Sequence, residues 1–163
     1  MRCALLISCL VLFCACTPRG PQPEVVKPNM VLDSTALGED ARIRARQFYE
    51  GDQLDFALFW YTHATQYNPQ DKHAWHGKAA TLGRLGRHQE ALGAFEEALR
   101  IDSNYVGAIW HRACGFAAQL EKDKALTDLR RAIAIDSTIK SAAQQDSCFW
   151  WMWQDEDFLA LVN

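Results

Sequence analysis

The chain lacks the short motifs that mark most enzyme active sites. It has no G-x-S-x-G, no H-E-x-x-H and no Walker-type glycine loop, so no nucleophile elbow, zinc helix or phosphate cradle is expected. Its scattered carboxylates read as a solvated helix surface, and no catalytic residue is expected. No apolar run reaches the roughly 18 residues of a membrane-spanning helix. Positive charge is not in excess: the formal net charge is -3, which argues against a nucleic-acid partner. Five prolines and nine glycines are too few for a low-complexity chain. No two cysteines form a C-x2-C pair and no histidine cluster sits beside them, which excludes a zinc finger by spacing. Nothing in these residues calls for a cofactor, a metal or a small-molecule substrate.

What is present is globular in composition. Of 163 residues, 49% are AVILMFWYC and 23% are charged, enough apolar surface for one domain and hardly two. The cysteines are uneven: Cys3, Cys9, Cys14 and Cys16 crowd the start, and Cys114 and Cys148 lie in the body. All six tryptophans follow residue 59.

The first residues read as an address. Met1-Arg2 is a short positive start, Cys3 to Cys16 is apolar apart from Ser8, and Thr17-Pro18-Arg19-Gly20-Pro21 ends the run. That order is a secretory signal. Its end, Phe13-Cys14-Ala15-Cys16, resembles the lipobox of bacterial lipoproteins. The resemblance implies a signal peptide over 1–16, with Cys16 as the lipidated first residue of the mature chain and Cys14 as the rival acceptor. It further implies a lipid-anchored (palmitate-bearing) protein of the bacterial envelope, facing the periplasm and held most naturally at the outer membrane. Residues 17–37 contain Pro18, Pro21, Pro23 and Pro28 and are expected to form an extended tether.

The strongest signal comes from sliding the chain against itself by 34 residues. The shift aligns Ala45, Ala79 and Ala113, then Phe48, Leu82 and Phe116. Ala57, Ala91 and Ala125 follow, with Leu58, Leu92 and Leu126 beside them. Tyr61, Phe95 and Leu129 come next, then Ala64, Ala98 and Ala132, and Tyr67, Ile101 and Ile135 close the units. Within a unit, Ala91, Phe95 and Ala98 make one stripe on one helix. Gly51 and Gly86 fall between the halves, where a tight turn wants a residue tolerant of positive φ. Asp71, Ser103 or Asn104, and Ser137 or Thr138 are the expected N-caps. Each unit is therefore two antiparallel helices.

The pattern resembles the tetratricopeptide repeat (TPR), a 34-residue helix-turn-helix. In the middle unit Trp75, Ala79, Leu82, Gly86, Ala91, Phe95, Ala98 and Asp102 stand at motif positions. The first unit carries an apparent extra residue between Gly51 and Ala57, and the third uses Leu120-Glu121-Lys122-Asp123 in place of a turn glycine. The resemblance implies an all-α protein, an α-solenoid of about three repeats at 38–71, 72–105 and 106–139, with a C-terminal capping pair at 140–163. In that cap, residues 140–153 are expected to form one helix, with Trp150 in the core column of Phe116. Asp155-Glu156-Asp157 is expected to begin a short last helix.

In proteins of this family the first helix of each unit lines a concave groove that binds peptides. Carried over by position, the groove residues are Arg42, Arg46 and Tyr49, then His73, His76 and Arg84, then Trp110, Cys114 and Ala118, and finally Gln144 and Trp151. The groove is expected to be basic at one end and aromatic at the other, suited to an acidic protein segment with an apolar anchor. His73 and His76 could share a metal only if His111 supplied a third ligand, and no metal site is expected. Cys114 and Cys148 hold equivalent places in successive repeats. Neighbouring helices lie about 8–10 Å apart, so two free, sheltered thiols are expected unless the last unit shifts. The run Phe149-Trp150-Trp151-Met152-Trp153 is read as an end cap, with an exposed interface as its rival. The implied role is a non-enzymatic adaptor or scaffold that binds a protein partner. The alternatives are a structural subunit binding through Trp151 and Trp153, or a metal carrier.

Overall fold

The computed structural model describes residues 33–163. The expected signal peptide, Cys16 and the prolines of the tether lie outside them. Eight α-helices run α1 (Ser34–Glu50), α2 (Leu54–Tyr67), α3 (Lys72–Arg84), α4 (His88–Ile101), α5 (Val106–Ala118), α6 (Lys122–Ile135), α7 (Ile139–Gln145) and α8 (Glu156–Val162). A single 3₁₀ turn, Ser147–Met152, separates the last two. There is no strand among the described residues. Consecutive helices pack as hairpins, α1 on α2, α3 on α4, α5 on α6, and the hairpins stack through α2 on α3 and α4 on α5. The fold is an all-α solenoid.

The alanine columns explain the stacking. Ala45, Ala79 and Ala113 are fully buried, and so are Ala64, Ala98 and Ala132. A methyl group at each crossing lets two backbones approach closely, while Tyr61, Phe95 and Leu129 fill the space between crossings. One approach is closer still. A Cβ at Gly77 would lie 2.3 Å from the Tyr61 ring, so α3 meets α2 at a point where only glycine fits.

The helix ends obey one geometry. Asp52, Gly86 and Leu120 have φ of 59°, 75° and 60°, and they stand one repeat apart. In each hairpin the next N–H donates back to the first helix: Gln53 to Phe48, Arg87 to Leu82 and Glu121 to Phe116, at 2.8, 2.9 and 2.9 Å. This is the closing bond of a Schellman motif. The left-handed residue of the first hairpin is therefore Asp52, and Gly51 is not (φ -82°). The extra residue expected there does not exist. Asp71 caps α3 by accepting from the His73 and Ala74 N–H groups. Neither Ser103 nor Asn104 caps α5: its N-cap is Tyr105, without a side-chain bond. Asp33 caps α1, so helix begins at Ser34, four residues before the expected start of the first repeat.

The C-terminal segment departs from the repeat. Asp146 ends α7 in an extended conformation and caps the 3₁₀ turn through the Cys148 N–H. A 3₁₀ helix has three residues per turn, so side chains three apart eclipse. Phe149 and Met152 form the buried column, Cys148 and Trp151 a half-buried one, and Trp150 and Trp153 the exposed one. Trp150 is 67% exposed, which overturns its expected core position. The single helix expected over 140–153 gave the wrong period, and Phe149 takes the core instead. The same break brings Cys148 to α5: Cys114 and Cys148 have Cα atoms 5.4 Å apart and form a disulfide, so they are not free thiols. Asp155 caps α8 as expected. Lys122, at the start of α6, reaches Asp155 at 2.5 Å and Asp157 at 2.8 Å. Those bonds hold its ammonium pKa above the ordinary lysine value.

Candidate functional site

The groove side of α1 and α3, with the start of α5, encloses a cavity of about 430 Å³. Helical spacing puts Arg42, Arg46 and Tyr49 on one face of α1, and all three line it. His73 and His76 of α3 line it as well, so five of the eleven sequence-derived groove residues converge. Tyr105, His111, Tyr61 and Glu50 complete the wall.

The imidazoles form a chain. His111 Nδ1 lies 2.8 Å from the Gly107 carbonyl oxygen, so that nitrogen carries the proton. His76 Nε2, 2.9 Å from the same nitrogen, then accepts. His76 Nδ1 donates to the Tyr105 hydroxyl at 3.3 Å, and that hydroxyl donates to His73 Nδ1 at 3.2 Å. The tautomers are assigned from these contacts. Burial, then the proximity of His111 and His73, pushes the His76 pKa down to about 4. His76 is thus neutral at pH 7. Burial also raises the Tyr105 phenol. The three histidines join in a line through Tyr105. The set of three potential ligand atoms found together among the described residues is instead Cys114, Asp146 and Cys148, two of which are spent in the disulfide.

The basic end is largely paired. Arg46 bonds Glu50 at 2.8 Å, and Arg84 bonds Asp52 at 2.5 Å while lying 4.9 Å over the Tyr49 ring. Arg42 sits between Glu39 (3.5 Å) and Asp71 (3.0 Å). Its buried Nε makes no well-directed hydrogen bond among the described residues. Asp71 is divided between capping α3 and facing Arg42. The cavity is therefore polar and nearly balanced in charge, with Arg42 the cation least satisfied.

The aromatic end is not where the sequence put it. Trp110 lies edge-on against Phe149 (centroids 5.3 Å, 76°), and the Trp151 indole donates to the Ala117 carbonyl at 3.1 Å. Both are used in closing the solenoid's end, and neither lines the cavity. Gln144 donates to the Val162 carbonyl and serves the same end. An apolar pocket of about 250 Å³ adjoins the polar cavity instead, sharing Tyr49, Ala80 and His111 with it. Leu92, Phe95 and Gly83 line it, together with Arg84, Ala118 and Cys114. Sequence reasoning missed Tyr105 because it was assigned to the tail of the second unit. It missed Tyr61 as a groove residue because its column reads as core. Gly77 was a usable signal, since glycine inside a helix costs about 1 kcal/mol unless a close approach needs it. The carboxylates are not all solvated: Asp128 is buried and takes two bonds from Arg112 at 2.7 and 2.8 Å on the opposite side of the hairpins.

Comparison with known proteins agrees with this architecture. The family described as Tetratricopeptide repeat matches residues 73–105, which span most of α3 and all of α4, so this hairpin is similar to a tetratricopeptide repeat. The DnaJ homolog subfamily C member 7 homolog of Schizosaccharomyces pombe is 31% identical over 102 residues, covering 60% of this chain and 21% of the relative. The chain thus spans about a fifth of the length of that relative. The TPR2B domain of yeast Sti1, solved as a complex with an Hsp70 peptide, superposes with a TM-score of 0.63 at 22% identity, covering 76% of this chain and 94% of the domain. The first TPR domain of Spaghetti (RPAP3), bound to the HSP90 peptide SRMEEVD, gives 0.65 at 15% identity, covering 79% and 96%. At these identities the likeness of the solved structures is one of fold.

Proposed function

We propose that this chain is a non-enzymatic adaptor, held by acyl chains on Cys16 to a bacterial envelope membrane, that binds an extended segment of a partner protein in its groove. The observation that carries the reading is the junction of the polar cavity and the apolar pocket at Tyr49, Ala80 and His111. A segment lying across it would place an acidic group beside Arg42 and an apolar side chain against Leu92 and Phe95. The mechanism is equilibrium binding with no covalent step. The peptide complexes of the solved relatives support it. The Cys114–Cys148 disulfide supports the envelope location, since such bonds persist in oxidising compartments such as the periplasm.

The test is in-cell cross-linking followed by mass spectrometry on wild type and on the double variant Arg42→Glu, Arg46→Glu, with matched thermal melts as the folding control. Partner capture should fall in the variant, and unchanged capture would remove the groove from consideration. The mass of the purified wild-type chain should show acylation at Cys16; an unmodified, uncleaved N-terminus would remove the anchor.

A second reading keeps one specific observation: Trp150 and Trp153 stand exposed on the C-terminal end. A structural subunit docking through that end would lose its partner on Trp150→Ala. It would keep the partner in the Arg42, Arg46 double variant.

A further inference from the structure

The outer face of the first hairpin carries an aromatic stripe whose Phe59 and Tyr67 rings the core does not use, while Trp60 packs on the core and Phe56 stacks on Phe48 at 5.4 Å. On α2, Phe56, Phe59, Trp60, His63 and Tyr67 recur every three or four residues and share one side. Phe56, Phe59 and Tyr67 are 59%, 54% and 43% exposed. Four of the rings touch in a row: Phe59 lies edge-on to His63 (4.4 Å) and to Trp60 (5.5 Å), and His63 stacks toward Tyr67 (6.2 Å). At the columns of Phe56, Phe59 and His63, α4 carries Glu90, Gly93 and Glu97, and α6 carries Lys124, Thr127 and Arg131. Three hairpins of one geometry therefore tolerate water at these places, and only the first presents a contiguous aromatic surface there. A contiguous exposed aromatic surface of this kind marks an interface.

The geometry points to the bilayer surface as the occupant: the α2 stripe rests shallowly among zwitterionic headgroups of the membrane that holds the anchor. The inference deepens the proposed function and rests on its Cys16 anchor. Three observations select this occupant. Trp and Tyr, each with an apolar body and a polar tip, settle at the headgroup layer, and Phe is at home at the acyl boundary just beneath it. The stripe belongs to the hairpin nearest the anchor in sequence. Residues 17–32 reach at most about 55 Å fully extended, so α2 is always within a short tether of the lipid. The stripe also carries no surplus cation: Arg44, 5.0 Å over the Trp60 ring, is paired with Asp40 at 2.9 Å. Zwitterionic lipid therefore suffices. Seated this way, the convex side of the first hairpin would face the membrane, and the concave cavity would be turned toward the periplasm.

The test uses the full lipidated chain on phosphatidylcholine vesicles, with tryptophan fluorescence read against lipids brominated near the headgroup end of the acyl chain. Sedimentation with vesicles is scored separately for wild type and Cys16→Ser. Wild type should sediment and show quenching. Trp60→Phe, which keeps the stripe aromatic, should lose most of that quenching and still sediment. Phe59→Ser with Tyr67→Ser, both at exposed sites on α2, should also lose most of it while the melt changes little. Sedimentation without quenching of Trp60 would overturn the stripe and leave the anchor standing. Wild type that fails to sediment would overturn both. If Trp60 stays unquenched and the double serine variant converts a dimer to a monomer, a second copy of this chain is the occupant and the inference falls.

Discussion

Gly77 lies directly beneath the Tyr61 ring, at a distance no side chain could share. The contact couples the core to the groove, because Tyr61 also lines the polar cavity. Gly77→Ala should therefore destabilise, although alanine is the better helix former by about 1 kcal/mol. Overpacking of this kind costs about 1–3 kcal/mol, and the net loss should appear as a lower Tm. Tyr61→Phe, which keeps the ring, should leave Gly77→Ala just as damaging.

The three left-handed turn residues make a matched set. Leu120 holds its positive φ with a branched side chain that is 70% exposed, so little packing offsets the strain. Leu120→Gly should raise stability by about 0.5–1 kcal/mol, since the left-handed conformation costs an L-residue roughly 1–2 kcal/mol. Gly86→Ala should lower it by a similar amount. Chemical denaturation of both variants checks the pair, and a loss on Leu120→Gly would contradict the turn geometry.

The Cys114–Cys148 bond closes a separation of 34 residues. A loop of that length confers about 3–4 kcal/mol in the chain-entropy picture. Cys148→Ser, or reduction, should lower stability by that order. The α7–α8 segment should then exchange its amides faster, because this bond and the Lys122 pairs hold it.

His76 predicts a pH slope. Its folded pKa is near 4, below the ordinary value of 6.5, so between those values the unfolded chain binds the extra proton. Stability should therefore be complete above pH 6.5 and fall as the pH drops toward 4, by about 3 kcal/mol. Urea unfolding at pH 7.5, 5.5 and 4.5 reads the slope. His76→Gln should flatten it, and an unchanged slope would assign the loss to other groups.

The hairpins were legible because a column such as Ala64, Ala98 and Ala132 repeats a steric need at fixed spacing. The groove was half legible: Arg42 and Arg46 could be placed on α1, but not the carboxylates that meet them, since Glu50 read as surface charge and Asp71 as a helix cap alone. The C-terminal end was the least legible. The change from 3.6 to 3.0 residues per turn after Asp146 moved every side chain of the Trp-rich run to another side. It also brought together two cysteines that an unbroken repeat would have kept apart. Nothing in the local composition announces a 3₁₀ turn.

The disulfide makes the two ends of the stack unequal in strength. A column of hairpins held mainly by nearest neighbours peels from its ends. The C-terminal end is stapled covalently, whereas α1 is secured by ordinary packing and ion pairs. A pull applied at Asp33 would strip α1 first and take Arg42, Arg46 and Tyr49 with it. Losing those three residues would thus dismantle the cavity while most of the stack still stood.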